Sequence, residues 1–161
     1  MDLILWRHAE AEEPKPGMSD MKRRLTPRGE KQARVVGRWL RQQLPKGTRI
    51  LVSPAMRTQQ TVLPLELPYD TDERIGPQAT PTDLLTAAGW PNLPKAVLVV
   101  GHQPTLGALA SLLVCGKEGV PMDTASHSFS IRKGAVWWIS RKDKPGDDKT
   151  FLRAVIGPEL L

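Results

Sequence analysis

The sequence predicts an α/β fold, in the form of a three-layer α/β/α sandwich around a mostly parallel central sheet. Short apolar runs alternate with longer amphipathic segments along the 161 residues, which is the pattern of strands and helices in such folds. Three of the apolar runs lead into arginine or histidine residues, as expected at the carboxyl edge of a sheet, where open α/β sheets bind ligands. A chain of this length predicts one domain, residues 1–161, with a buried core.

The first strand and the first helix are defined by local signals. Residues 3–6 are an apolar run that ends in Arg7 and His8. After a loop rich in Glu, Pro and Gly, Thr26 is a suitable N-cap, and Pro27 fits the first helical position, where its missing N–H costs nothing. The helix is predicted to run to about residue 44, because apolar residues recur at helical spacing on one face: Ala33, Val36, Leu40 and Leu44.

The middle of the chain predicts a second strand and two short helices. Residues 49–52 are expected to form the second buried strand, and a helix that carries Arg57 is expected to follow and to stop near Pro64. At residues 70–77 we expect a short strand or loop that crosses the edge of the ligand site. A further short helix is expected at 82–88.

The last third of the chain predicts three strands and a buried helix. Residues 97–100 are almost all β-branched, so we expect a central strand. An apolar helix begins at Pro104. Two strands at 135–139 and 151–156, joined by the polar stretch 141–149, are expected to form an antiparallel hairpin at the sheet edge.

The basic residues are unevenly distributed. The formal net charge is +6 with a pI near 9.8, and eleven Lys or Arg lie between Lys15 and Arg49 against Asp20 and Glu30. Such an excess attracts acidic partners, whether a phosphorylated protein, an anionic metabolite or nucleic acid. A solvated helix face is the alternative interpretation, because runs of charge usually lie in water.

Composition excludes several classes of protein. The single cysteine, Cys115, rules out an internal disulfide framework and a multi-thiolate metal site. Because it lies in an apolar run, we expect a thiol packed in the core. No apolar stretch reaches membrane-spanning length, and no signal peptide is visible. We therefore expect a cytoplasmic protein that uses no metal, no cofactor and no membrane attachment.

Four residues near the strand ends indicate chemistry on a phosphoryl group. Arginine presents paired N–H donors that match phosphoryl oxygens. A neutral imidazole can attack phosphorus and form a covalent phosphohistidine, and a second imidazole, when protonated, adds positive charge at the oxygens of the transition state. Two arginines and two histidines around one anion predict a metal-free site for phosphoryl transfer: Arg7, His8, Arg57 and His102.

Each histidine also has a simpler interpretation. A single histidine at the end of a strand is often only a hydrogen-bonded structural residue. A zinc site is the competing use of two histidines, but the sequence has no His at i+4 spacing and no cysteine pair. His127 stands in a separate polar segment, and we expect it at the surface or at an edge.

Four segments with specific spacing occur in a fixed order. They read LWRHAE at 5–10, LTPRG at 25–29, VSPAMRTQQT at 52–61 and VGHQP at 100–104. In this order they resemble the motifs of the histidine phosphatase (phosphoglycerate-mutase-like) superfamily, and the resemblance spans nearly the whole chain. The Arg-His pair alone is a weak signal, whereas Ser-Pro-x-x-Arg-x-x-Gln-Thr is a specific one. One departure is Ala9, where the family commonly has a glycine with access to positive φ.

Within that superfamily the chain looks most like the small SixA-type protein phosphohistidine phosphatases. The interval from Arg57 to His102 is too short for the large helical insert that caps the site in other members, and residues 119–125 resemble the segment after the histidine-carrying helix in SixA-type proteins. The resemblance implies a site without a cap, open to a protein substrate that carries phosphohistidine, and a role in signal transduction.

The resemblance also implies roles for the four residues. His8 would be the nucleophile that becomes phosphorylated, and Arg7, Arg57 and His102 would bind the phosphoryl oxygens. Ser53 is expected to cap the helix that carries Arg57.

Two further residues have two interpretations each. Arg24 would add a contact at the rim of the site or lie in solvent. Glu73 resembles the glutamate that supplies the general acid in the mutases, with a plain surface carboxylate as the alternative. A phosphohistidine substrate lowers the need for such an acid, because its P–N bond is labile.

Three functions therefore stand as alternatives. The first is a SixA-type phosphohistidine phosphatase that acts through phospho-His8, and the second is a small-molecule phosphomonoesterase of the same fold, acting on a sugar phosphate or a nucleotide. The third is a non-catalytic module that binds phosphate or nucleic acid through the basic residues of 15–49. The intact arginines and histidines favour the enzymes, so nucleic acid is not the expected partner. Phosphate or sulfate is expected to bind the site.

Overall fold

The computed structural model describes residues 1–92, 96–115, 128–142 and 149–161. Its strands form one six-stranded sheet in the order β3-β2-β4-β1-β5-β6, in which β1 to β4 are parallel and the last two are antiparallel. The predicted mostly parallel sheet with an antiparallel hairpin at its edge is therefore confirmed. The strands are β1 (Asp2–Arg7), β2 (Arg49–Val52), β3 (Asp70–Thr71), β4 (Val97–Gly101), β5 (Val136–Arg141) and β6 (Thr150–Ile156).

In the described residues, four α-helices cover the two faces of the sheet. They are α1 (Pro27–Gln43), α2 (Met56–Val62), α3 (Pro81–Ala88) and α4 (Thr105–Cys115). Between α2 and β4 the described residues form only β3, short 3-10 turns and α3, so the large cap insert has no counterpart there. Strand β4 lies between β1 and β2 and is buried along its whole length, which confirms the predicted central strand.

Successive residues of the central strands point to opposite core layers. Leu3 and Leu5 pack with α3 and α4, whereas Ile4 and Trp6 pack with α1 and α2. This alternation is the geometry of a strand, and it produces the three layers that were predicted. The neighbouring Trp137 and Trp138 likewise lie in different layers.

Helix α1 is held close to the loop that follows His8. The Thr26 hydroxyl accepts a hydrogen bond from the Gly29 backbone N–H at 3.0 Å, so the predicted N-cap is confirmed. A Cβ at position 29 would collide with the backbone carbonyl of Glu10. Only glycine therefore permits this approach of helix and loop.

The prediction for Cys115 is wrong. This thiol is exposed, because the buried part of α4 ends at Leu112 and the last turn extends beyond the core. His127 and the segment 119–125 lie outside the described residues. No helix in the described ranges is long and apolar enough to span a bilayer.

Candidate active site

The carboxyl ends of three adjacent strands bring the predicted residues together. In the parallel register, Arg7 of β1 lies opposite Gly101 of β4, and the His8 backbone N–H donates to the Gly101 carbonyl at 3.1 Å. On the other side of β4, the Ser53 N–H donates to the Val100 carbonyl at 3.1 Å. Ser53, His102 and His8 therefore follow their strands side by side.

The two imidazoles form a close, buried pair. Their ring centroids lie 5.4 Å apart with 54° between the ring planes. His8 is 7% exposed and His102 is 4% exposed. Both rings line one pocket, and a single small ligand there can contact both of them.

His8 is held in the form that a nucleophile needs. Its Nδ1 lies 2.7 Å from the Ala9 carbonyl oxygen, and since a carbonyl only accepts, Nδ1 carries the hydrogen and Nε2 keeps its lone pair in the neutral ring. Burial, followed by the positive charges of Arg57 and Arg7, lowers the pKa of His8 to about 4. The ring is therefore neutral at pH 7.

His102 is oriented by Ser53. The Ser53 Oγ lies 2.7 Å from His102 Nε2 and also accepts a hydrogen bond from the Ala55 N–H at 3.3 Å. With its oxygen accepting from Ala55, the hydroxyl donates its own hydrogen to His102 Nε2. The neutral ring then carries its hydrogen on Nδ1, which is buried and has no hydrogen-bond partner among the described residues. Burial, then the charge of Arg57, lowers the pKa of His102 to about 3.

The role expected for Ser53 changes accordingly. The N-cap of α2 is Ala55, which has no side-chain capping bond, so Ser53 is not the cap of that helix. A serine three residues before a helix resembles a cap in sequence, and only the register of β2 against β4 reveals its contact with His102.

The two arginines at the pocket, Arg7 and Arg57, are held by different hydrogen-bond partners. Arg7 donates from Nη1 to the Ile131 carbonyl at 2.7 Å. Arg57 is 4% exposed and donates to Asp20 twice, from Nη1 to the backbone carbonyl at 2.9 Å and from Nη2 to Oδ2 at 3.1 Å. Asp20 thus uses two of the five N–H groups of this guanidinium and holds its plane in position.

Asp20 also joins Arg57 to Arg23. The Arg23 Nε donates to Asp20 Oδ1 at 2.9 Å, and its Nη1 donates to the Glu12 carbonyl at 3.0 Å. Partial burial opposes ionisation of Asp20, but the hydrogen bond from Arg23 and the charge of Arg57 outweigh it, and the pKa of Asp20 is lowered. The carboxylate thus holds two guanidinium groups beside the histidines.

The pocket itself has a volume of about 200 Å³. Arg23 lines it, whereas its neighbour Arg24 is exposed and is not among the lining residues. Glu73 is also exposed and lines a separate depression with Arg74 and Pro54. The residues around the pocket are Arg7, His8, Ala11, Glu13, Arg23, Arg57, Pro77, His102, Gln103 and Lys133.

Two polar residues at the end of the 52–61 segment fix the loops of the site. Gln60 accepts from the Leu25 N–H at 2.7 Å, and Thr61 accepts from the Ala9 N–H at 3.1 Å. Their place in the Gln-Thr motif was visible in the sequence, but these contacts were not. Ala9 is absent from the residues with positive φ, so the alanine carries no strain in place of the usual glycine.

The arrangement provides the parts of a phosphoryl-transfer site. A neutral imidazole with a free Nε2 supplies a nucleophile. Three guanidinium groups that line the pocket supply donors for the oxygens of a phosphoryl group, those of Arg7, Arg23 and Arg57, and the imidazole of His102 lies beside them.

The chain resembles known proteins over most of its length. The sequence model of the histidine phosphatase superfamily (branch 1) matches residues 3–76. The phosphohistidine phosphatase SixA of Escherichia coli is 33% identical over 145 residues, which cover 81% of this chain and 84% of that protein. An uncharacterised protein of Mycobacterium tuberculosis is 34% identical over 127 residues, which cover 76% and 80%.

A solved structure extends the likeness to the fold. A candidate SixA phosphohistidine phosphatase from Nakamurella multipartitia superposes with a TM-score of 0.75 at 26% identity, covering 98% of this chain and 95% of that one. The sequence relatives and the fold agree. The chain therefore belongs to the histidine phosphatase superfamily and is a phosphatase homologous to SixA.

Proposed function

We propose that the protein is a phosphohistidine phosphatase that acts on a protein substrate through a covalent phospho-His8 intermediate. The observation that carries the proposal is the state of His8, a neutral ring whose Nδ1–H is bound to the Ala9 carbonyl and whose Nε2 is free. A relative adds support, because the SixA protein of Escherichia coli is named a phosphohistidine phosphatase.

The reaction takes two displacements at phosphorus. In the first, His8 Nε2 attacks the phosphoryl group, a new N–P bond forms, and the P–N bond to the substrate histidine breaks. In the second, water attacks the phosphoryl group on His8, which releases inorganic phosphate and returns the neutral ring. Arg7 and Arg57 hold the oxygens in both steps, and His102, whose protonation a bound dianion favours, adds positive charge beside them.

The leaving group decides whether a general acid is needed. The imidazole of a phosphohistidine takes its proton from solvent, whereas an alkoxide needs a carboxylic acid within reach. Glu73 lies outside the pocket, and Glu13 is the carboxylate among the pocket residues of the described chain. We therefore propose no acid role for Glu73.

A small phosphorylated substrate is the second candidate. The observation that favours it is the pocket volume of about 200 Å³, which suits a group of few atoms. The cytoplasmic location and the role in signal transduction stay predictions that belong to the first candidate.

The test is a substrate panel with a trap for the intermediate. We expect a phosphohistidine-bearing protein to be hydrolysed faster than sugar phosphates and nucleotides, in the presence of EDTA, and mass spectrometry to find phosphate on His8. The variant His8→Asn is expected to lose turnover and labelling, while Arg38→Gln, on the exposed side of α1, serves as the control. Faster turnover of the small esters would favour the second candidate, and full activity of His8→Asn would exclude both.

A further inference from the structure

A second depression, which we call the basic groove, adjoins the active-site pocket. It has a volume of about 730 Å³ and is lined by residues of α1, the segment 130–133 and the C-terminal 3-10 turn. Arg7 and Lys133 line both the groove and the pocket. The two cavities are therefore neighbours that share a wall.

The groove carries a surplus of positive charge. Its walls hold five cationic side chains against two carboxylate side chains, those of Glu10 and Glu159. Those carboxylates lie 3.6 Å and 3.5 Å from Arg28 and Arg132, which are 76% and 79% exposed. Within the described ranges no ion pair involves the other three cations of the walls; Lys31 and Lys133 are exposed to solvent, and Arg7 is half-buried.

One wall of the groove is fixed relative to the nucleophile. The Gly134 N–H donates to the His8 carbonyl at 3.0 Å, and the Trp6 Nε1 donates to the Gly134 carbonyl at 3.1 Å. The bond from Arg7 to Ile131 ties down the same segment. The side chains of Arg132 and Lys133 are therefore attached to backbone that β1 holds in place.

The pocket is much smaller than a protein substrate. Its volume of about 200 Å³ accommodates a phosphorylated imidazole ring but not the polypeptide that carries it. The chain beside the phosphohistidine must lie on the surface around the pocket. The basic groove is the part of that surface that shares Arg7 and Lys133 with the pocket, and its lining includes the apolar side chains of Val35 and Pro158.

We propose that the basic groove binds an acidic polypeptide segment adjacent to the phosphohistidine of the substrate. The inference rests on the proposed function and goes further, because it specifies the sequence around the phosphorylated residue. Aspartate and glutamate side chains complement Lys31 and the exposed Arg132, for which they compete with Glu159, and the attraction raises the rate of encounter and selects the partner.

The test compares two phosphohistidine peptides of equal length, one flanked by Asp and Glu and the other by Asn and Gln. The double variant Lys31→Glu/Arg132→Glu reverses two charges of the groove outside the pocket. We expect kcat/KM for the acidic peptide to fall by about tenfold in this variant, mainly through KM, with the neutral peptide and free phosphohistidine almost unaffected. Added salt should remove the advantage of the acidic peptide in the wild type.

The matched control is Arg34→Glu/Arg38→Glu. These residues lie on α1 and line a different depression with Arg41 and Glu66. Both double variants change the net charge by the same amount, and they differ only in where the charge is reversed. We expect this control to change kcat/KM for the acidic peptide by less than about twofold. An equal loss in both double variants, or a loss in neither, would overturn the docking proposal.

Two other outcomes separate the proposals. Hydrolysis of both peptides at equal rates by the wild type would overturn the docking proposal and leave the proposed function standing. Hydrolysis of neither peptide would overturn both. A DNA oligonucleotide that binds the wild type more tightly than the acidic peptide, and loses affinity in Lys31→Glu/Arg132→Glu, would assign the groove to nucleic acid and overturn the proposal for a polypeptide.

Discussion

Arg57 in the pocket and Arg28 in the groove are both guanidinium groups that face an anion-binding surface, but they are held differently. Arg57 is 4% exposed and makes two hydrogen bonds to Asp20. Arg28 is 76% exposed and has one contact with Glu10 at 3.6 Å. A buried, fixed donor recognises the shape of a phosphoryl group, whereas an exposed donor adds attraction that water and salt weaken.

The largest expected effect comes from replacing the buried donor. Arg57→Lys keeps the charge but removes the planar fork, so we expect kcat/KM for phosphohistidine to fall by about 100-fold. The matched change Arg28→Lys is expected to alter it by less than about twofold. Steady-state kinetics and thermal unfolding of both variants provide the measurement. Equal effects of the two substitutions would show that burial does not distinguish the two sites.

Ser53→Ala tests whether the pocket depends on orientation as well as charge. Removal of the hydroxyl frees the ring of His102 to change tautomer, and we expect kcat to fall by about tenfold with little change in KM. Ser53→Thr keeps the hydroxyl and is expected to restore most of the loss. A fall in thermal stability with unchanged kcat would assign Ser53 a purely structural role.

The pH dependence of the buried histidines provides a third test. In the folded protein the pKa values of His8 and His102 are about 4 and 3, below the ordinary value of about 6.5. As the pH falls, these rings are therefore protonated in the unfolded chain before they are protonated in the folded one. The free energy of unfolding should therefore decrease as pH falls from about 6.5 towards 4. Denaturant unfolding of the wild type and of His8→Asn measures this, and the variant should show the shallower slope. An NMR titration of His8 near pH 6.5 would contradict the burial argument.

The smallest expected effect concerns the exposed carboxylate. Glu73→Gln should change kcat/KM for phosphohistidine by less than about twofold, because Glu73 lines a different depression from His8. Glu13→Gln, at the pocket wall, is the comparison, measured on a phosphate ester as well. A large loss in Glu73→Gln alone would mean that the segment 70–77 moves over the site during turnover.

The sequence by itself determined the layers of the fold and the placement of Arg7, His8, Arg57 and His102. Strand periodicity, the Thr26 cap and the polar residues that end apolar runs are local signals, and parallel strands necessarily bring their carboxyl ends to one edge. This is why the three-layer sandwich and the group of four residues could both be predicted.

Only the tertiary structure decided which neighbours complete the site. Arg23 rather than Arg24 lines the pocket, because neighbouring residues in an extended segment point in opposite directions and Arg23 has extended backbone angles. The contact of Ser53 with His102 depends on the register of β2 against β4. The contact of Asp20 with Arg57 joins residues 37 positions apart and depends on how the loop that carries Asp20 folds back. Such contacts join distant parts of the chain, and no local pattern encodes them.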